Sequence, residues 1–122
     1  MGYMRHHAIV VTSWSDKHIQ AAHKAAKEIY SNWSKNILFG AIVGGFDGLV
    51  SPIMCSPINS YMTFIVAPDG SKEGWDDSDE GNFKRDELIE WLEGAERKDN
   101  FDWAEIEYGG DGDGATVLRH EK

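Results

Sequence analysis

The hydrophobic pattern of this chain divides into five strand-like stretches and two stretches of helical period. Residues 6–12, HHAIVVT, alternate Ala8 and Val10 with Ile9 and Val11. Both faces are apolar, which predicts a strand inside a sheet. Ser13-Trp14-Ser15-Asp16 then fits the S-x-x-[DE] signal for a helix start. Ile19, Ala22, Ala26, Ile29, Tyr30 and Trp33 follow at spacings of three and four, with Lys17, Lys24, Lys27 and Glu28 on the opposite side. This predicts one amphipathic helix running to about Trp33.

Glycines interrupt residues 34–50, SKNILFGAIVGGFDGLV, and Gly44-Gly45 breaks any helix. Two short strands about a glycine turn are one reading, and a packed loop is the other. Residues 49–54 read as a strand that Pro52 pushes toward an edge or a bulge. A turn over residues 56–60 folds it back as a hairpin onto residues 62–67. In that last strand Met62, Phe64 and Val66 alternate with Thr63 and Ile65, which predicts a central strand covered on both sides.

Pro68-Asp69-Gly70 is turn chemistry. An acidic, glycine-containing loop with Trp75 comes next, spanning residues 69–82. A second helix is then marked by Phe83, Leu88, Trp91, Leu92 and Ala95, with Ser78 or Asn82 as its cap. Residues 103–108, WAEIEY, alternate cleanly, which predicts Ala104, Ile106 and Tyr108 facing in and Glu105 and Glu107 facing out. A Gly/Asp turn and a last strand over residues 115–120 close the sheet. The order β-α-β-β-α-β-β predicts an α+β fold: a two-layer α/β sandwich whose mostly antiparallel sheet carries two helices on one face.

The chain has 122 residues, 41% of them hydrophobic, enough for one core and a single domain over residues 1–122. No apolar run approaches the roughly 20 residues of a membrane span, and the N-terminal stretch has no signal-peptide pattern. The expectation is a cytoplasmic protein. Cys55 is the only cysteine, so no internal disulfide forms.

Charge changes the picture more than composition does. The net charge is −9, and it is lopsided. Residues 1–68 hold five Lys/Arg against three acids, a net +2, whereas residues 69–122 hold seven against eighteen, a net −11. That balance argues against direct nucleic-acid binding, which needs a basic footprint. It suits an acidic face offered to a basic protein partner. Trp75, Asp76, Asp77, Asp79 and Glu80 in the acidic loop, with Tyr61 at the hairpin, are the candidate contact residues. A lone tryptophan in such a loop also suits a symmetric homodimer in which each loop packs on its neighbour.

Other chemistries leave weaker marks. Asp76, Ser78, Glu80, Gly81 and Glu87 fall at positions 1, 3, 5, 6 and 12 of a calcium-loop pattern. The glutamate at position 5, the phenylalanine at position 8 and the absence of a preceding helix depart from that pattern. Trp75 and Tyr61 as stacking platforms, with Arg5 or Arg119 for a phosphate, make a nucleotide-like small molecule an alternative ligand. The chain has no G-x-S-x-G elbow, Walker loop, G-x-G-x-x-G or His-x-Ser/Thr pair, and its histidines lack zinc spacing. No catalytic residue and no cofactor is assigned, and the expectation is a non-enzymatic protein.

The segments HHAIVVTSW and APDGSKEGWDDSDEG, the Ala-rich first helix and a final strand ending in Arg-His resemble small uncharacterised proteins encoded by tailed phages and prophages. The likeness covers most of residues 4–120 and is weakest over residues 34–48. That group carries no assigned activity, so the resemblance transfers no site residues. It implies a phage accessory protein working in a bacterial host, in counter-defence or host takeover.

Overall fold

The computed structural model describes residues 5–32, 36–38, 41–43, 46–70, 76–110 and 114–121, with the backbone alone at 36–38, 41–43 and 76–78. Strand β1 (His6–Ser13) leads into helix α1 (Asp16–Ser31), followed by β2 (Asn36–Leu38) and β3 (Ala41–Val43). A 3-10 turn (Phe46–Leu49), β4 (Met54–Cys55), β5 (Met62–Val66), α2 (Asp76–Leu92), β6 (Asp102–Tyr108) and β7 (Thr116–His120) complete the order. Five strands form one antiparallel sheet in the order β4-β5-β1-β6-β7, and β2 and β3 pair as a separate hairpin. Two βαβ units are thus interleaved: β1-α1-β4 skips over β5, and β5-α2-β6 skips over β1. This is the split β-α-β-β-α-β pattern with one strand added at an edge. Chain order does not survive in the sheet, because β1 lies at its centre.

The core follows from which side chains point at the helices. Ile9 and Val11 of β1, Met62, Phe64 and Val66 of β5, and Phe101 with Trp103 of β6 meet Ile19, Ala22, Ala26 and Tyr30 of α1 and Leu88, Ile89 and Leu92 of α2. Each large side chain taken fully out of water contributes about 1.5–3 kcal/mol, and Phe64, Ile9, Ile19, Leu88 and Leu92 are all fully buried. The α1 stripe is the one its period predicts. The cap sits two residues later than the S-x-x-[DE] reading: Ser15 Oγ accepts the His18 N–H, while Ser13 Oγ accepts the Ser15 N–H and donates to the Asn100 carbonyl. Ser13 is itself buried and ties the start of α1 to the segment entering β6.

Three readings need correction. Residues 62–67 are not covered on both sides. Met62, Phe64 and Val66 are buried under the helices, whereas Thr63 and Ile65 lie half-buried on the other face. The inward set of β6 is the opposite of the expected one. Trp103 and Glu105 are buried beneath the helices, while Ala104 and Ile106 share the open face with Ala8 and Val10. The pairing explains this: Ile9 lies opposite both Val66 and Glu105, and Val11 opposite both Phe64 and Trp103, so all point to one side. Because side chains alternate with period two, fixing Trp103 inward fixes Glu105 inward as well. Third, α2 begins at Asp76, so residues 76–82 are helix rather than loop, and the cap lies ahead of both Ser78 and Asn82.

Pro52 acts as its chemistry predicts. Val50 bridges Val66, the ladder lapses over residues 51–53, and pairing resumes at Met54. Ser51 fills the gap, its backbone N–H donating to the Ile65 carbonyl and its hydroxyl accepting the Ile65 N–H. Of the two readings of residues 34–50, the paired short strands are the one observed, with Ile37 opposite Ile42.

Candidate functional site

Helix α2 is where fold and charge meet. Its buried positions are Gly81, Lys84, Arg85, Leu88, Ile89 and Leu92, a stripe of spacing three and one. Phe83 is not part of that stripe and stands 67% exposed, contrary to the expected apolar face. The first half of the inward face therefore carries two cations. Long Lys and Arg stems cover apolar surface while their heads seek acceptors, and both heads find them within the domain. Lys84 Nζ lies 3.6 Å from Glu80 and 3.5 Å from Glu87, one turn to either side. Arg85 reaches Asp69 at 3.7 Å and Glu105 at 3.4 Å, and hydrogen-bonds the Asn82 side chain.

Glu105 is the hub. It is 3% exposed. A carboxylate so far from water needs cations and hydrogen bonds to remain charged. Arg119 Nε and Nη2 donate to its two oxygens at 2.6 and 3.1 Å, a bidentate grip, and Arg119 Nη1 goes on to Asp86 at 2.8 Å. The bond to Glu105 is the main reason the Arg119 guanidinium is held above its usual range. Beside it, Glu107 takes Arg5 at 3.1 Å and His7 Nε2 at 3.2 Å. Burial first, and then the Arg85 charge, push the His7 imidazole below the usual histidine range against the opposing pull of Glu107. Arg5 also donates to the Gly109 and Gly114 carbonyls, clasping the turn after β6. Gly109 suits that turn, with φ +89° and no room for a Cβ beside the His6 ring. At the end of α1, burial raises the Tyr30 phenol far above its ordinary range.

This inward network shapes the outward surface. Lys84 and Arg85 are the only bases in α2, and both are turned in. The solvent side carries Asp79, Asp86, Glu87 and Glu90, of which Asp86 is paired with Arg119 and Glu87 with Lys84. Phe83 stands among them, and a shallow depression of about 370 Å³ is lined by Asp79, Asn82, Phe83 and Asp86. The product is an acidic helix face with one bare aromatic ring.

The predicted site residues divide as follows. Asp79 and Glu80 lie on α2, Asp79 exposed and Glu80 half-buried against Lys84. Asp76, Asp77 and Ser78 form the first turn of α2, Trp75 lies outside the described residues, and so the expected loop contact by Trp75 does too. Tyr61 is 42% exposed but sits apart from this surface. It precedes β5 at the end of the sheet where Trp91 meets Phe101, while Arg85 meets Asp69 at the other end and α2 starts beyond it. Tyr61 and the start of α2 are not brought together as a stacking pair. Arg5 sits beside the turn after β6 and Arg119 opposite Glu105 in the middle of that strand, each engaged by acids or carbonyls of the chain itself.

The calcium-loop reading of Asp76, Ser78, Glu80 and Glu87 is corrected by the backbone. All four lie on one continuous helix, whose backbone does not turn around a cation as a binding loop does. Glu80 and Glu87 converge on the Lys84 ammonium. Among the described residues, no three or more His, Cys, Asp or Glu side chains gather in a group able to hold a metal ion. Cys55 is exposed at the end of the short β4 strand. No helix among the described residues is long and apolar enough to cross a membrane.

Sequence reasoning missed Lys84, Arg85 and Phe83. The available signal was the spacing of Leu88, Ile89 and Leu92: continued toward the N-terminus at three and four, it lands on Lys84, Arg85 and Gly81 and leaves Phe83 outside. Comparison with family models, with curated proteins and with solved structures finds no match for this chain.

Proposed function

We propose that this chain is a non-enzymatic accessory protein of phage type that binds a basic surface of a host protein through the outward face of α2, in the cytoplasm of a bacterial host. One observation carries the reading: both bases of α2 are consumed inside the domain, while Phe83 stands 67% exposed between Asp79 and Asp86. Acidic residues alone make a solvated surface, but an exposed ring within them is a different arrangement. Hot spots at protein interfaces combine a bulky anchor that enters a pocket with a charged rim that steers and orients the approach. The partner that fits is a lysine- or arginine-rich face with an apolar socket for one ring. Asp79 belongs to the acidic surface of α2, Glu80 lies half-buried at its edge against Lys84, and Trp75, Asp76 and Asp77 precede them in the chain.

The test is cross-linking capture from bacterial lysate with the wild-type chain and with an Asp79→Asn/Phe83→Ser variant. The reading expects one host protein with a basic surface to be captured by the wild type, and at least tenfold less by the variant. Capture should also fall as salt is raised from about 0.05 to 0.5 M, because exposed charges are screened over that range. Equal capture by both chains, or capture insensitive to salt, would refute it.

A further inference from the structure

The sheet has a second face, and its composition differs from the rest of the molecule. Ala8 and Val10 of β1, Ile65 of β5, Ala104 and Ile106 of β6 and Val117 of β7 share it, with Thr12 and Thr63 hydrogen-bonded to each other at 2.9 Å. Met54, opposite Thr63, is 51% exposed, and Val117 is 55% exposed. The paired strands place one carboxylate on this face, Asp102, opposite Thr12 at the rim, and Glu121 joins it at the rim just after β7, with His6 and His120 at the ends of β1 and β7. In a chain of net charge −9 the middle of this face carries no charge, and its carboxylates are confined to the rim. Both described helices lie over the other side.

We infer that this open sheet face is the contact surface for a second copy of the chain, packed sheet to sheet about a twofold axis. Charge points to that occupant. Two copies of an acidic protein repel wherever their acidic surfaces meet, and α2 holds many of those acids on the opposite layer. Only a face without like charges lets copies approach closely.

Relief points the same way. Side-chain size is uneven across it: Met54 and Ile65 stand toward one edge, while Ala8 and Ala104 alternate with Val10 and Ile106 on the two middle strands. An open groove of about 580 Å³ runs over Val10, Ala104 and Val117, rimmed by Asp102, His120 and Glu121. In an isologous contact the raised side of one copy meets the groove of the other, and the reverse contact comes with it.

Area sets the size class of the contact. The five strands contain 27 residues, each covering roughly 3.3 by 4.8 Å of sheet. That is roughly 430 Å² per copy before side-chain relief, so the pair buries on the order of 1,000 Å², the lower bound of a specific interface. The expected dimer is reversible, because a contact at this lower bound of area is of the weak, transient class. It leaves α2 of each copy facing solvent. This contact stands independently of the partner proposed for α2.

Sedimentation velocity from about 1 to 500 µM tests it, with circular dichroism to confirm folding. The wild type should pass from monomer to dimer across that range. Ala104→Glu, which places a charge in the middle of the face, and Val117→Lys, at an exposed position that folding tolerates, should each weaken association at least tenfold. Phe83→Ser on the opposite layer should leave it unchanged. A wild type that stays monomeric at 500 µM overturns the inference. So does a dimer that survives Val117→Lys and a folded Ala104→Glu, and so does one that Trp75→Ala abolishes while these two leave it intact.

Discussion

Removing the Glu105 carboxylate should destabilise the fold far more than removing any surface acid. In Glu105→Ala, Arg119 loses two charged hydrogen bonds but keeps Asp86 at 2.8 Å, and its side chain is 41% exposed, so water replaces much of what is lost. Arg85 has no such recourse. Its side chain is 8% exposed, and its remaining carboxylate contact is Asp69 at 3.7 Å. Breaking a buried pair from one side costs about 3–5 kcal/mol, because the surviving charge stays buried with only the longer Asp69 contact left to it among the described residues. With a urea m-value of about 2 kcal/mol per molar, the midpoint should fall by roughly 1.5–2.5 M. Unfolding is followed by circular dichroism and by tryptophan fluorescence, with Trp103 two residues away as a local reporter. Replacing both partners, in Glu105→Leu/Arg85→Met, should recover more than half of the loss, since apolar side chains of similar volume often replace a buried pair without penalty. If Glu105→Ala costs less than about 1 kcal/mol, the range of exposed ion pairs, or if the double substitution is no better than the single one, then Glu105 is not a desolvated hub.

Three further outcomes follow from the same geometry. His7 is held below the usual histidine range, so the unfolded chain takes up that proton more readily than the folded one. The stability it contributes is present above about pH 6.5 and declines as pH falls through the lowered value, and His7→Gln should flatten the drop in urea midpoint between about pH 6.5 and 5. Ser13→Ala strips a buried hydroxyl from the Asn100 carbonyl and the Ser15 N–H and should cost about 1–2 kcal/mol in urea unfolding, whereas Ser15→Ala, with its longer 3.4 Å cap bond, should cost about 0.5–1 kcal/mol. Phe83→Ser should move the thermal midpoint by less than Phe64→Ala does, because an exposed ring is worth within about 0.5 kcal/mol and a fully buried one about 3–5 kcal/mol.

The elements were legible in the sequence wherever one side chain type dominated one period. Ile19, Ala22, Ala26 and Tyr30 mark α1 because every third or fourth position is small or apolar. Val10 and Val11 mark β1 as interior because neither face is polar. The orientation of β6 was not legible. WAEIEY alternates, but both of its faces have an apolar option, and alternation does not say which lies beneath the helices. Trp103 decides it, and Glu105 follows at the cost of a buried charge. That charge is tolerated because Arg85 and Arg119 arrive from α2 and β7, and no local rule links residues 85, 105 and 119. The acidic surface was legible as a charge split between the two parts of the chain. Its shape was not, because it depends on Lys84 and Arg85 turning inward and on Phe83 turning outward.

The central position of β1 sets an order of events during synthesis. Its two neighbours are β5, which begins at Met62, and β6, where Tyr108 pairs with His6. A nascent chain that has released only the first sixty residues carries a hydrophobic strand with two bare edges and no sheet to join. Closing loops of fifty and then a hundred residues precedes any stabilisation from those pairs, so assembly is slower than for a fold of local hairpins. Until β6 emerges, Ile9 and Val11 offer a template for intermolecular pairing, and premature termination before residue 102 leaves that edge permanently open. Truncated products of this chain should accordingly aggregate or engage chaperones, even though the completed domain buries the same strand at its centre.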